Sequence, residues 1–145
     1  MIVYVDPSVI VRALLPDEAG HEQARSAVLS STDALITGSW SRVEVAAALA
    51  RASKASRSAA AVLQKGAEAI FTEQYVVPID AEQAEVELLA KDLVGSWAIR
   101  SLDAWHLACA QLAREDLLDT GEELGFMSFD KEQARVAATM GFTVL

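Results

Sequence analysis

The chain opens Met1-Ile2-Val3-Tyr4-Val5-Asp6-Pro7-Ser8. Five consecutive apolar or aromatic residues, β-branched at Ile2, Val3 and Val5, predict a short strand buried on both faces. Such a strand belongs in the middle of a parallel sheet with helices over both sides. Asp6 closes the run at the strand's carboxyl end, where open α/β sheets form their ligand crevice. The residues Val9 to Leu15 read as helical, and Pro7 stands where a first helical turn accepts proline. Asp6 is therefore both a candidate site carboxylate and a candidate helix N-cap.

Outward from this stretch, strands and helices alternate. Pro16 to Gly20 reads as a turn, His21 to Ser30 as an amphipathic helix with Ala24, Ala27 and Val28 inward, and Ala34 to Thr37 as a second buried strand. A long helix is expected from about Trp40 to Ala52, interrupted by the polar Ser53-Lys54-Ala55-Ser56, and another from about Arg57 to Thr72. Tyr75 to Ile79 reads as a third strand, with Pro78 placing it near a sheet edge. Asp80 is expected to cap a helix from Ala81 to Val94 that stops at Gly95, and the next helix runs from Ser101 or Leu102 to about Arg114. Gly125 to Phe129 forms a fourth strand, Asp130 to Thr139 a helix, and Phe142 to Leu145 a last strand. This alternation predicts a three-layer α/β/α domain around a central parallel sheet of about five strands. Without repeats or linkers, residues 1–145 are expected to form one domain.

Composition sets bounds on function. Hydrophobic residues make up 52% and charged residues 23%, a globular balance, and alanine is the commonest residue, which favours closely packed helices. The longest unbroken apolar run, Val45 to Ala50, is far too short to span a membrane, and the N-terminal run lacks the basic flank and length of a signal sequence. The single cysteine, Cys109, excludes an internal disulfide and a cysteine-cluster metal site. A cytoplasmic protein is expected. The net charge of −9 argues against a nucleic-acid partner, but the distribution is uneven. Arg42, Arg51, Lys54, Arg57 and Lys65 lie between Ser41 and Lys65 against the one acid Glu44. That segment reads either as a phosphate-binding strip or as an ordinary solvated helix face.

Four acids stand where the neighbouring sequence is apolar. Asp6 ends the first strand, Glu44 is embedded in Trp40-Ser41-Arg42-Val43-Glu44-Val45-Ala46, Asp103 opens Asp103-Ala104-Trp105-His106-Leu107, and Asp130 follows Met127-Ser128-Phe129. In a parallel sheet Asp6 and Asp130 leave at the same end, and the helices carrying Glu44 and Asp103 start there too. Structural duties compete: Asp130-Lys131-Glu132-Gln133 has the form of a capping box, and Asp103 suits a helix's first turn. Asp80-Ala81-Glu82-Gln83 has the same capping form with no chemistry assigned to it. Glu44 has no capping duty. Two carboxylates about 4 Å apart repel by roughly 4 kcal/mol at an effective dielectric near 20. A cluster of four therefore calls for a cation, and without a cysteine or histidine cluster the suitable ion is hard, Mg²⁺ or Mn²⁺. Such a site suits phosphodiester hydrolysis.

The ordered set Val5-Asp6-x-Ser8, Glu44, Leu102-Asp103-x-x-His106-Leu107-Ala108-x-Ala110 and Phe129-Asp130 resembles a PIN domain, and its length and spacing resemble the VapC-type toxins of bacterial toxin–antitoxin pairs. The resemblance spans nearly the whole chain. It implies a metal-dependent endoribonuclease that uses Mg²⁺ or Mn²⁺, forms homodimers and is inhibited by a cognate antitoxin. By position, it implies Asp6 and Asp103 as principal metal ligands, with Glu44 and Asp130 binding metal directly or through water and orienting the nucleophile. Ser8 and Ser128 fall where the family often has a hydroxyl near the site. Pro7 and Ser128 depart from the threonines common there, and neither departure removes a carboxylate. Once the pocket is given to RNA, Arg42, Arg51, Lys54 and Arg57 become candidate phosphate contacts. His106 reads as a packing residue ahead of a general base, and Trp40, Trp97 and Trp105 as packing residues ahead of base-stacking ones. The antitoxin is expected to block the acids with a basic side chain.

Two rival classes fit less well. An aspartyl-nucleophile phosphatase wants an acid two residues after Asp6, where Ser8 stands, and a receiver-like signalling domain wants an early acid pair and a late strand-end lysine. A non-catalytic metal- and partner-binding adaptor of PIN type is the remaining alternative.

Overall fold

Five parallel strands, β1 (Ile2–Val5), β2 (Ala34–Gly38), β3 (Val76–Ile79), β4 (Leu124–Met127) and β5 (Thr143–Val144), form one sheet of order β3-β2-β1-β4-β5 in the computed structural model of the chain. The structure describes residues 1–55 and 57–145, and the side chains of all of these except 55 and 57–59. Seven α-helices flank the sheet among the described residues: α1 (Pro7–Leu14), α2 (His21–Leu29), α3 (Ser41–Ala52), α4 (Arg57–Ile70), α5 (Gln83–Trp97), α6 (Ser101–Leu117) and α7 (Lys131–Thr139). The expected α/β/α architecture and central first strand are both present, and β3 with its Pro78 is an edge strand.

Strand alternation divides the core into two layers. Val3 and Val5 point to one face, where they pack with Val9, Ile10, Ala24, Val28, Val45 and Leu49 from α1, α2 and α3. Tyr4 points to the other face, where it stacks on Phe126 at 5.6 Å and meets Val86, Leu107 and Val136 from α5, α6 and α7. Val3, Tyr4 and Val5 are each at most 1% exposed, which is why an unbroken apolar run, and not an alternating one, fits this strand.

The strand order turns at β1: the chain proceeds from it to β2 on one side, while β4 enters on the other. The Asp6 amide donates to Met127 O at 2.9 Å, just past the last paired residues, Val5 and Met127. Beyond that bond the two strands part into α1 and the turn before α7. The crevice of this sheet therefore lies between the ends of β1 and β4.

Several boundaries differ from the expected ones. The fourth strand ends at Met127 and not Phe129, because Ser128 folds the chain into a turn by accepting from the Asp130 amide at 3.0 Å. Asp80 does not cap α5. Glu82 does, accepting from the Glu85 amide at 2.9 Å, while Asp80 stays exposed at the end of β3. Gly95 does not stop α5 either. The helix continues to Trp97, whose packing against the α6 layer outweighs the roughly 1 kcal/mol cost of an internal glycine, and Ala98 ends it at φ 52°. For a similar reason α6 runs on to Leu117, which packs against the same layer.

Candidate active site

Asp6 is 6% exposed and both of its oxygens are held. Oδ2 accepts from the Ser8 amide at 2.9 Å, so Asp6 is the N-cap of α1. Oδ1 accepts from Gln133 Nε2 at 2.9 Å, across the crevice from α7. Gln133 is fully buried, and its amide is oriented by three partners: Asp6, the Asp103 carbonyl at 3.3 Å and the Ser128 hydroxyl, which donates to Oε1 at 2.6 Å. Gln133 was expected to reach back to Asp130 as a capping-box partner. Instead Asp130 caps α7 alone, accepting from the Glu132 and Gln133 amides, and the glutamine side chain is given to Asp6.

Asp103 stands half-buried in the first turn of α6. Burial raises its carboxyl above the ordinary carboxylate range, Arg100 opposes that rise, and the charges of Asp130 and Asp6 add to it. Three of the four candidate acids therefore share one electrostatic neighbourhood. Arg100 bridges two of them, its Nε donating to Asp103 Oδ2 at 2.9 Å and its Nη2 to Asp130 Oδ2 at 2.6 Å. Asp103, foremost, holds the guanidinium more firmly protonated than usual.

Glu44 is placed differently. The α3 helix starts on the sheet end because Thr37 and Ser41 pair through their hydroxyls at 2.6 Å and Thr37 donates to Val5 O at 2.7 Å. One turn into the helix, Glu44 Oε1 meets His106 Nε2 at 2.6 Å. His106, 1% exposed, meets the Tyr4 hydroxyl through Nδ1 at 2.8 Å, and that hydroxyl accepts from the Gly38 amide at 2.8 Å. Donors and acceptors balance along this chain when His106 carries its hydrogen on Nε2 and Tyr4 donates to Nδ1. His106 is buried, as the sequence suggested, but its role is not packing alone: it ties Glu44 to α6, three residues after Asp103.

A sequence profile described as PIN domain matches residues 3–138. The chain belongs to the PIN domain family. No curated protein matches it. PIN domains are a nuclease fold and typically bind divalent metals, and they often serve in toxin–antitoxin systems. Asp6, Asp103 and Asp130, the three candidate acids that share one neighbourhood in this PIN domain, are oxygen donors of the kind that suit a hard ion. Asp103 supplies the physical argument for fit, since its half-buried carboxyl stays raised despite the exposed Arg100 bonded to it, so added positive charge would be favourable there. Among the described residues no three His, Cys, Asp or Glu side chains form a metal-holding group. Arg100, bonded to both Asp103 and Asp130, is the cation of that pair.

The remaining candidates of this PIN domain sort by contact. Ser8 and Ser128 act on the backbone and on Gln133: Ser8 Oγ accepts from the Phe129 amide at 3.3 Å, and Ser128 binds Gln133 and the Asp130 amide. Arg42, Arg51 and Lys54 are exposed along α3 and the turn after it, and Arg42 lines a depression between α3 and α4 with Gln64, Glu68 and Phe71. The Arg57 side chain lies outside the described residues. Trp40 and Trp105 line a cavity of about 140 Å³ beside the ends of β2 and β3, and Trp97 lies under Arg135 at 5.5 Å. Sequence reading missed Arg100 and Gln133 as site residues. For Gln133 the one available signal was a neutral amide on the inward face of the last helix, and for Arg100 a basic residue just ahead of Asp103.

No described helix is long and apolar enough to cross a membrane.

Proposed function

We propose that this PIN domain, a single domain over residues 1–145, is a metal-dependent endoribonuclease, the VapC-type toxin of a toxin–antitoxin module acting in the cytoplasm. The observation that carries the reading is the gathering of three acids at the ends of the central strands, where Gln133 bonds Asp6 and the Asp103 carbonyl and Arg100 bridges Asp103 and Asp130. Asp6 and Asp103 would be the principal ligands of Mg²⁺ or Mn²⁺, with Glu44 and Asp130 completing the site. When bound, such an ion supplies charge to a phosphodiester and lowers the pKa of water.

The chain's own residues do the rest. Gln133 and the Ser8 amide fix both oxygens of Asp6, so its direction is set before any ligand arrives. His106 holds one oxygen of Glu44, so that Oε2 would be the atom that binds the ion, directly or through water, and orients the nucleophile. RNA phosphates would meet Arg42, Arg51, Lys54 and Arg57 along α3 and beyond, and two copies would associate as a homodimer.

An antitoxin would inhibit by presenting a basic side chain to the acids. The Arg100 contacts support this, because they show that a guanidinium fits Asp103 and Asp130 together. Purified protein incubated with total cellular RNA tests the reading. Discrete fragments that require Mg²⁺ or Mn²⁺ and vanish with EDTA are expected. Intact RNA alongside bound metal would favour the non-catalytic adaptor.

A further inference from the structure

Arg100 has an unusual position for a residue with a mainly structural duty. It sits just before α6 with an extended backbone, φ −68° and ψ 152°, and its side chain makes no cap to that helix. The side chain is 76% exposed, yet both bonded nitrogens point inward, one to an acid of α6 and one to the capping acid of α7. The rigid planar fork of a guanidinium spans two carboxylates in this way, whereas an ammonium is a point charge without that fixed geometry. These two acids are 27 residues apart in sequence and of like charge, and the Arg100 guanidinium is the partner they share.

We infer that Arg100 occupies, from within the chain, the charge position that a divalent ion would take at Asp103 and Asp130, so that metal binding proceeds by displacing its guanidinium. The inference rests on the metal-dependent reading above. Exposure makes displacement feasible, because ion pairs with an exposed arginine are individually weak. Arg100 thus keeps the acids compensated before metal arrives and sets how much metal is needed to replace it. It is a positioning residue and touches no reacting atom in this arrangement.

The test uses Mn²⁺ alone, titrated by calorimetry into the wild type, Arg100→Ala and Arg100→Lys, with melting temperatures recorded with and without saturating Mn²⁺. Removing two exposed ion-pair contacts from the competitor should tighten Mn²⁺ binding about three- to tenfold in Arg100→Ala. Arg100→Lys, with charge but no fork, should fall between the two. Without metal Arg100→Ala should melt below the wild type, and at saturation that deficit should disappear, since the wild-type ion pairs are then already broken. If Arg100→Ala binds Mn²⁺ no more tightly, or its melting deficit persists at saturation, Arg100 only ties α6 to α7 and the inference falls. If no variant and not the wild type binds Mn²⁺, the metal-dependent reading itself falls and takes the inference with it.

Discussion

His106 Nε2 lies 2.6 Å from Glu44 Oε1, and the other ring nitrogen lies 2.8 Å from the hydroxyl of Tyr4, a residue of the central strand. A hydrogen-bonded chain thus runs from the sheet to Glu44, a candidate acid that caps no helix. Tyr4→Phe keeps the ring that stacks on Phe126 but strips the partner from both the Gly38 amide and His106. Leaving such buried groups unpaired should cost about 1–3 kcal/mol in urea denaturation. Cleavage should fall about 10- to 100-fold, as when the supporting partner of a metal ligand is removed. A variant that loses stability but keeps full activity would show that the chain only packs.

Gly38 has a steric reason to be glycine. A Cβ built there would stand 2.8 Å from the Tyr4 hydroxyl and 3.4 Å from Cys109 Sγ. Tyr4 is fully buried and its ring cannot move aside. Gly38→Ala should therefore destabilise by about 1–3 kcal/mol through overpacking, measured by denaturant melts. It should also weaken activity in parallel with Tyr4→Phe. The double variant should lose less than the sum of the two single losses, because both break the same chain.

Gln133 holds Asp6 from the opposite side of the crevice. Gln133→Ala removes a buried amide and leaves Asp6 Oδ1 and the Ser128 hydroxyl without their partner. A loss of roughly 2–3 kcal/mol is expected, together with weaker Mn²⁺ binding by about 10- to 100-fold in calorimetry. Glutamine at this place is a neutral donor, so Gln133→Glu should be worse for stability than Gln133→Ala, because it sets a like charge against Asp6.

Cys109 gives an alkaline signature. Burial foremost pushes its thiol from 9.0 up to about 11, and burial raises the Tyr4 phenol as well. A pKa raised in the folded state means that the native protein keeps a proton the unfolded chain releases. This contribution is complete below pH 9.0 and is lost as pH rises towards about 11. Melting temperatures measured across that range should decline, less steeply in Cys109→Ala. At pH 8 a thiol reagent should not label the folded wild type, since the side chain is both buried and protonated.

Much of the architecture was legible because its signals are local. The apolar run of Met1 to Val5, the acid after it and the alternation of strands with helices are sufficient for a parallel sheet with β1 at its centre. Ends of elements were less legible where packing overrides local preference, as at Gly95, through which α5 continues because Trp97 finds a place against α6. In the site, the acids were visible as charges in apolar surroundings. Their partners were not, because Gln133 meets Asp6 from 127 residues away and His106 meets Glu44 from 62. Arg100 was hidden for another reason: an exposed arginine before a helix looks ordinary until Asp130 is brought beside it.

The most direct measurement compares cleavage of a labelled RNA by Asp6→Asn, Asp103→Asn and Asp80→Asn in Mn²⁺. All three acids lie near the carboxyl end of the sheet, but Asp80 is exposed at the end of edge strand β3, away from the crevice between β1 and β4. The account predicts at least about a hundredfold loss for Asp6→Asn and Asp103→Asn and wild-type rates for Asp80→Asn. Cleavage that survives in Asp6→Asn and Asp103→Asn would contradict it.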